Sequence, residues 1–243
     1  MSTPGPHGMS AMGSATRRVH AIRERRHRYG VVFLLLLGLV LFEVLAPSAD
    51  WARAIAVALA TAALTVAVAT SRDLRHVRRV RALLVSGVGL LVVVGIAAGL
   101  FGPAVSFLVV TLLVALIPVA LINGLTRLIR QAGVTIQVVS GALALYLVVG
   151  LLFASIIGFV ATVESGAYFT QGKNVTNGER VYYSFTVLTT TGFGDYTAAQ
   201  PFGHALAVLE MLTGQLYLVT VIGIVVGNFA GRRMRNQPDD GGS

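Results

Sequence analysis

The chain has 243 residues, 55% of them hydrophobic and only 12% charged, with a formal net charge of +9 and no cysteine. Ordinary globular proteins carry about 25% charged residues, and here the apolar residues fall in long runs, so composition excludes a soluble domain and points to a multi-span membrane protein. Neither a disulfide framework nor a thiolate metal site can be built without cysteine.

The excess charge does not form one patch. Arg17, Arg18, Arg23, Arg25, Arg26 and Arg28 precede the first apolar run. Arg72, Arg75, Arg78, Arg79 and Arg81 follow the second, Arg127 and Arg130 the fourth, and Arg232, Arg233 and Arg235 the last. Arg53, Lys173 and Arg180 remain for the other side. Basic residues on alternate connections follow the positive-inside pattern, which explains the basicity without an acidic partner and argues against a nucleic-acid surface. Both termini are accordingly expected in the cytoplasm, and the cell's plasma membrane is the expected location.

Residues 1–29 have no apolar period and read as a disordered basic tail. No small-residue cleavage site follows the arginines, so 30–46 is expected to be a retained first span. The turn at 46–50 makes a hairpin with span two (51–70), where Trp51 fits an interface anchor. Arg72, Arg75, Arg78 and Arg81 recur every third residue, as in a voltage-sensing helix. A cytoplasmic loop that fixes topology accounts for them better, because two further spans intervene before the pore region. Spans three and four are expected at 82–100 and 104–122, with Pro118 bending the uncharged fourth. Residues 123–133 read as a basic inner linker, closing a four-span domain at 30–133.

Span five is expected from Val134 to about 162, followed by a polar exposed segment at 163–177. Asn174-Val175-Thr176 matches a glycosylation sequon, a weak signal alone. Residues 179–190 suit a short helix that cannot span a bilayer. The last span follows at 202–229, and 232–243 is expected to be a short cytoplasmic tail with no soluble regulatory domain. The reading is thus an all-α integral membrane protein, with six transmembrane helices and a re-entrant pore helix and filter loop between spans five and six (pore domain 134–231).

The chemistry concentrates in Thr189-Thr190-Thr191-Gly192-Phe193-Gly194-Asp195. A cation sheds its water only where other oxygens replace it, and successive backbone carbonyls can do so if all point inward. That requires alternating backbone conformations, which Gly192 and Gly194 reach without steric cost. Thr190 can add a hydroxyl at the inner end, Phe193 would wedge outward, and Asp195 would concentrate cations at the outer mouth. Unwound backbone at membrane depth must be enclosed by protein or line a wet cavity. One loop supplies one wall, so a homotetramer is expected within the lipid bilayer. No cofactor is expected beyond potassium as the permeant ion.

The stretch Tyr182-Tyr183-Ser184-Phe185-Thr186-Val187-Leu188-Thr189-Thr190-Thr191-Gly192-Phe193-Gly194-Asp195 resembles the pore helix and filter of the potassium channel family, whose core reads Thr-Val-Gly-Tyr-Gly-Asp. The resemblance covers about 134–231. It implies potassium coordination at Thr190, Thr191, Gly192, Phe193 and Gly194, filter support from Tyr182, Tyr183, Thr186 and Thr189, and a gating hinge at Gly214. Two departures bear on selectivity. Phe193 lacks the usual tyrosine hydroxyl, so Tyr183 needs another partner, and Thr191 replaces an aliphatic residue. Some bacterial members carry a buried carboxylate at the position of Thr186, and here Tyr182 is the expected partner of Asp195. Glu210 is an intramembrane carboxylate, read either as a functional group or as a structural hydrogen bond to the back of the pore helix. Glu43 is expected to reach the interface, and His204 to be solvated near the outer mouth.

The expected function is a potassium-selective channel subunit without voltage gating, and not an enzyme. The alternatives are a weakly selective cation channel and a potassium-uptake transporter subunit, which would repeat the loop within one chain. Gly192-Phe193-Gly194-Asp195 also fits intramembrane aspartyl proteases, but no second aspartate lies in a span to complete a dyad. A non-conducting scaffold has no need of such a loop.

Overall fold

The computed structural model describes residues 28–70, 75–100, 102–132, 135–164, 166–172 and 175–235. Almost all of the expected tail at 1–29, and also Arg72, Asn174 and the residues from 236, lie outside them. Among the described residues the chain forms seven helices: α1 (Arg28–Leu45), α2 (Asp50–Thr70), α3 (Arg75–Ala97), α4 (Pro103–Ala132), α5 (Ile136–Val163), α6 (Asn177–Leu188) and α7 (Pro201–Arg235). A single antiparallel bridge, Phe169 to Ala198, is the extended pairing there.

Among the described residues, four helices contain stretches long and apolar enough to cross a membrane: Trp51–Val68, Ala104–Thr126, Ile136–Val163 and Pro201–Val221. Tyr29–Leu45 and Leu83–Ile96 are shorter apolar stretches. The chain is an all-α, multi-pass membrane protein.

In a bilayer, helices associate through close packing rather than through the hydrophobic effect, so small residues mark their contacts. Ala52, Ala56, Ala60, Ala63 and Ala67 form a buried stripe along α2. A side chain at Gly89 of α3 would collide with Thr61 of α2. Small residues on α5 admit aromatic rings in the same way, Phe185 against Gly150 and Phe107 against Gly158. The main core cluster joins α1, α2, α4 and α5 through residues such as Leu36, Leu64, Leu121 and Val148. Helix α5 thereby connects the N-terminal helices to α6 and α7.

Three expected loops differ from the structure. The basic run is helical from Arg75, so it continues α3 rather than forming a loop. The expected linker 123–133 extends α4 to Ala132, because Leu, Ile, Arg and Gln favour helix and one glycine costs only about 1 kcal/mol. Gly124 sits where a side chain would strike the Tyr29 hydroxyl. The segment 163–177 is not simply polar and exposed: Tyr168 and Phe169 are buried. They pack with Tyr183, Ile157 and Leu206 in a second cluster between α5, α6 and α7. Finally, α7 passes the expected end near 229 and reaches Arg235.

Candidate functional site

Helix α6 starts two residues earlier than expected because Thr176 caps it. The Thr176 hydroxyl accepts from the Glu179 amide (3.2 Å), and the Glu179 carboxylate accepts from the Thr176 amide (2.6 Å). This reciprocal pair is a capping box. The N-terminus of α6 abuts the end of α1, and a side chain at Gly178 would meet the carbonyl oxygens of Glu43 and Val44. Glu43 is not simply an interface residue: its carboxylate accepts from Asn177 Nδ2 at 2.8 Å. Arg180 donates to the Val175 carbonyl (3.0 Å) and stands over the Phe107 ring of α4, 5.0 Å from its centroid. The first helices therefore hold the start of α6 directly.

The other end of α6 holds the 189–195 loop. The amides of Thr189, Thr190, Thr191 and Gly192 donate back to α6 carbonyls, at Phe185 (3.0 Å), Val187 (2.9 Å) and twice at Thr186 (2.9 and 3.1 Å). These bonds satisfy the carbonyls that a helix end leaves free. Thr190 has φ +56°, Gly192 +52° and Gly194 +80°, while Thr191 and Phe193 stay in the ordinary negative range. Alternating handedness turns successive N–H groups to one side and the carbonyls to the other. The carbonyl oxygens of residues 190–194 accept from no described residue of the chain. Among the described residues, Thr190 is the one non-glycine with a positive φ, which a β-branched residue rarely adopts.

The threonine hydroxyls are mutually engaged. Thr189 Oγ1 donates to Phe185 O (2.7 Å) and pairs with Thr191 Oγ1 (2.9 Å), so the additional hydroxyl at Thr191 lies against Thr189. Thr186 Oγ1 donates to Tyr183 O at 2.8 Å. Thr190 Oγ1 donates to Thr189 O (2.7 Å) and accepts from Gln215 Nε2 of α7 (2.8 Å). Gln215 has no counterpart in the sequence reading.

At the far end, the Asp195 carboxylate hydrogen-bonds the Tyr182 phenol, which raises that phenol above its ordinary value. Tyr182 stacks on Phe193, the ring planes 4° apart. Tyr183 is buried edge-on against Phe169, with centroids 5.0 Å apart. The segment after the loop is tied down by Gln171 Nε2 donating to Asp195 O (2.5 Å) and by the pairing of Thr170 with Thr197. His204 is exposed, as expected, and its Nε2 also lies 2.8 Å from Ala198 O.

Tyr196 closes the circuit by donating its hydroxyl to Glu179 Oε1 at 2.5 Å. That bond, with the Thr176 capping bonds, holds the Glu179 carboxyl below its ordinary range. A depressed folded value stabilises the fold above the unfolded carboxylate value, and the contribution disappears as pH falls through the folded value. Tyr196→Phe should therefore lower Tm at neutral pH, with the gap to wild type narrowing in acid. Thermal unfolding in detergent checks this, and an equal gap at every pH would contradict it.

On α7, Glu210 is fully buried and bonded to Ser184 of α6, whose hydroxyl also lies 2.7 Å from Gly150 O of α5. Gly214, one turn on, packs where any side chain would overlap the Leu188 carbonyl at the end of α6. Tyr146 donates to that same carbonyl at 3.3 Å.

A scan against family models matches residues 142–230 to the family described as an ion channel. The chain carries an ion-channel domain. The match agrees with the resemblance to potassium channels, and it covers most of α5, all of α6, the 189–195 loop and most of α7. No curated protein and no solved structure matches the chain. Within the channel domain, Phe193 is 69% exposed and the 189–195 loop lies at the surface of the single chain. A row on α7, including Leu209, Leu212, Leu216 and Val219, is also uncovered.

Proposed function

We propose that the chain is one subunit of a homotetrameric potassium channel, with Thr190, Thr191, Gly192, Phe193 and Gly194 forming its selectivity filter. The observation that carries this reading is the alternating φ of residues 190–194, together with carbonyl oxygens that accept from no described residue. Four such loops around an axis would replace the water of a dehydrated potassium ion, and repulsion between neighbouring ions would drive conduction. The α6 C-terminus carries a partial negative charge and would favour a cation beneath the filter. Asp195 would attract cations to the outer mouth.

The uncovered loop and the apolar row on α7 favour a closed four-fold ring, because bare filter backbone cannot face lipid. The short apolar stretches in α1 and α3 would complete six spans, with α6 and the loop re-entrant between the fifth and sixth. The arginine clusters then share the cytoplasmic side with both termini. The N-terminal four-span domain would steady the pore through the α1–α6 contact. The helix before the pore domain, α4, has no charged residue between Pro103 and Thr126, which favours gating without voltage sensing.

The test is flux from vesicles reconstituted with purified protein, alongside its native mass. A potassium gradient should drive flux through an assembly of four chains. Single chains, or vesicles that pass no cation, would overturn the proposal, while equal sodium and potassium flux would replace it with a weakly selective cation channel.

A further inference from the structure

We propose that the buried carboxyl of Glu210 carries a proton and, through Ser184, clips α7 to α6 and α5, making Glu210 a positioning residue for the filter. The inference rests on the channel reading above. It follows from counting protons at one oxygen. Ser184 Oγ contacts two groups, Gly150 O at 2.7 Å and Glu210 Oε1. A serine hydroxyl has one proton to give and two lone pairs to accept with. The Gly150 carbonyl can only accept. If Ser184 serves it, the contact with Glu210 is a hydrogen bond only when the carboxyl supplies its own proton.

The ionised alternative leaves more unsatisfied. Ser184 would then turn its proton to Glu210, with its oxygen facing the Gly150 carbonyl oxygen. The second carboxyl oxygen, Glu210 Oε2, is buried without a hydrogen-bond partner. A buried carboxylate needs several donors or a cation to offset its desolvation. The titratable groups facing Glu210 are phenols: Tyr146 from α5, Tyr183 from α6, and Tyr168 from the segment between them. No cation faces it among the described residues.

The clip sits where it can set the filter's position. One turn along α7, Gly214 touches the Leu188 carbonyl, and the next residue, Gln215, holds the Thr190 hydroxyl. A rotation of α7 that broke the Glu210–Ser184 bond would carry both contacts with it.

Infrared spectra of wild-type and Glu210→Gln protein test the protonation directly, and potassium flux tests the positioning. At neutral pH a carboxylic-acid carbonyl band should be present in wild type and missing in Glu210→Gln. The glutamine amide can still donate to Ser184, so Glu210→Gln should conduct within about twofold of wild type, while Glu210→Ala should lose at least about tenfold, the equivalent of 1.4 kcal/mol. No difference band at neutral pH, or Glu210→Gln failing as badly as Glu210→Ala while remaining assembled, would overturn the inference. Wild-type protein that shows the band but passes no potassium would reject the channel reading and keep the protonated clip.

Discussion

Gly192→Ala should abolish potassium-selective flux while leaving the helices and the assembly in place. Gly192 has φ +52° with nothing within 4 Å of where a Cβ would stand, so the obstacle is conformational and not a clash with neighbours. An L-residue in the left-handed region costs about 1–2 kcal/mol, and a four-fold filter would incur that cost four times. The backbone would relieve the strain by leaving the positive range. The alternation that runs from Thr190 to Gly194 would break at its centre, turning one carbonyl per subunit away from the path. Helical content by circular dichroism and native mass should match wild type, while flux is lost or no longer distinguishes potassium from sodium. Undiminished selective flux would show that these carbonyls are not the coordinating groups.

The second large effect is expected at Gly214. The resemblance to potassium channels implies a hinge there, and the geometry gives it a packing role that a hinge does not contain. A methyl there would overlap the Leu188 carbonyl, which is backbone and already accepts from Tyr146. Overpacking of this kind typically costs about 1–3 kcal/mol. Gly214→Ala should therefore lower Tm and displace α7 from the end of α6, weakening the Gln215–Thr190 contact and reducing flux. A pure hinge predicts the opposite stability change, since alanine favours helix over glycine by about 1 kcal/mol. Gly214→Ala protein that is more stable than wild type, yet altered in gating, would favour the hinge.

The local pattern made much of this site legible. Two glycines flanking one aromatic, after three threonines, located the loop and its need for alternating conformations. The apolar runs located the long helices. What escaped was set by contacts distant in the chain. Tyr168 and Phe169 lie in a polar stretch, and nothing local shows that α5, α6 and α7 close over them. Gln215 is one polar residue in an apolar span, and only the placement of α7 beside Thr190 gives it a role. Thr190 itself carries a positive φ that no propensity assigns to threonine; the amide bonds to Val187 and Thr186 on either side of it impose that conformation.

Other signals lie in the sequence itself. Thr176 and Glu179 have capping-box spacing, which starts the helix ahead of the expected 179. By charge alone, 71–81 and 123–133 read as a topology-fixing loop and a basic inner linker, yet both enter helices. Arginine is a good helix former, and a helix can run on into water beyond the bilayer. Glu210 reads as a costly group from sequence alone. The hydroxyl it shares with Gly150, which decides its protonation, depends on three helices meeting.

The central claim is that four copies of the 190–194 backbone form a path that prefers potassium. The most direct measurement is the reversal potential of single channels in a planar bilayer, with potassium on one side and sodium on the other. The current should reverse far from zero, at a potential of the sign set by the potassium gradient, and Gly192→Ala should remove that displacement. Reversal near zero in wild type would contradict the account.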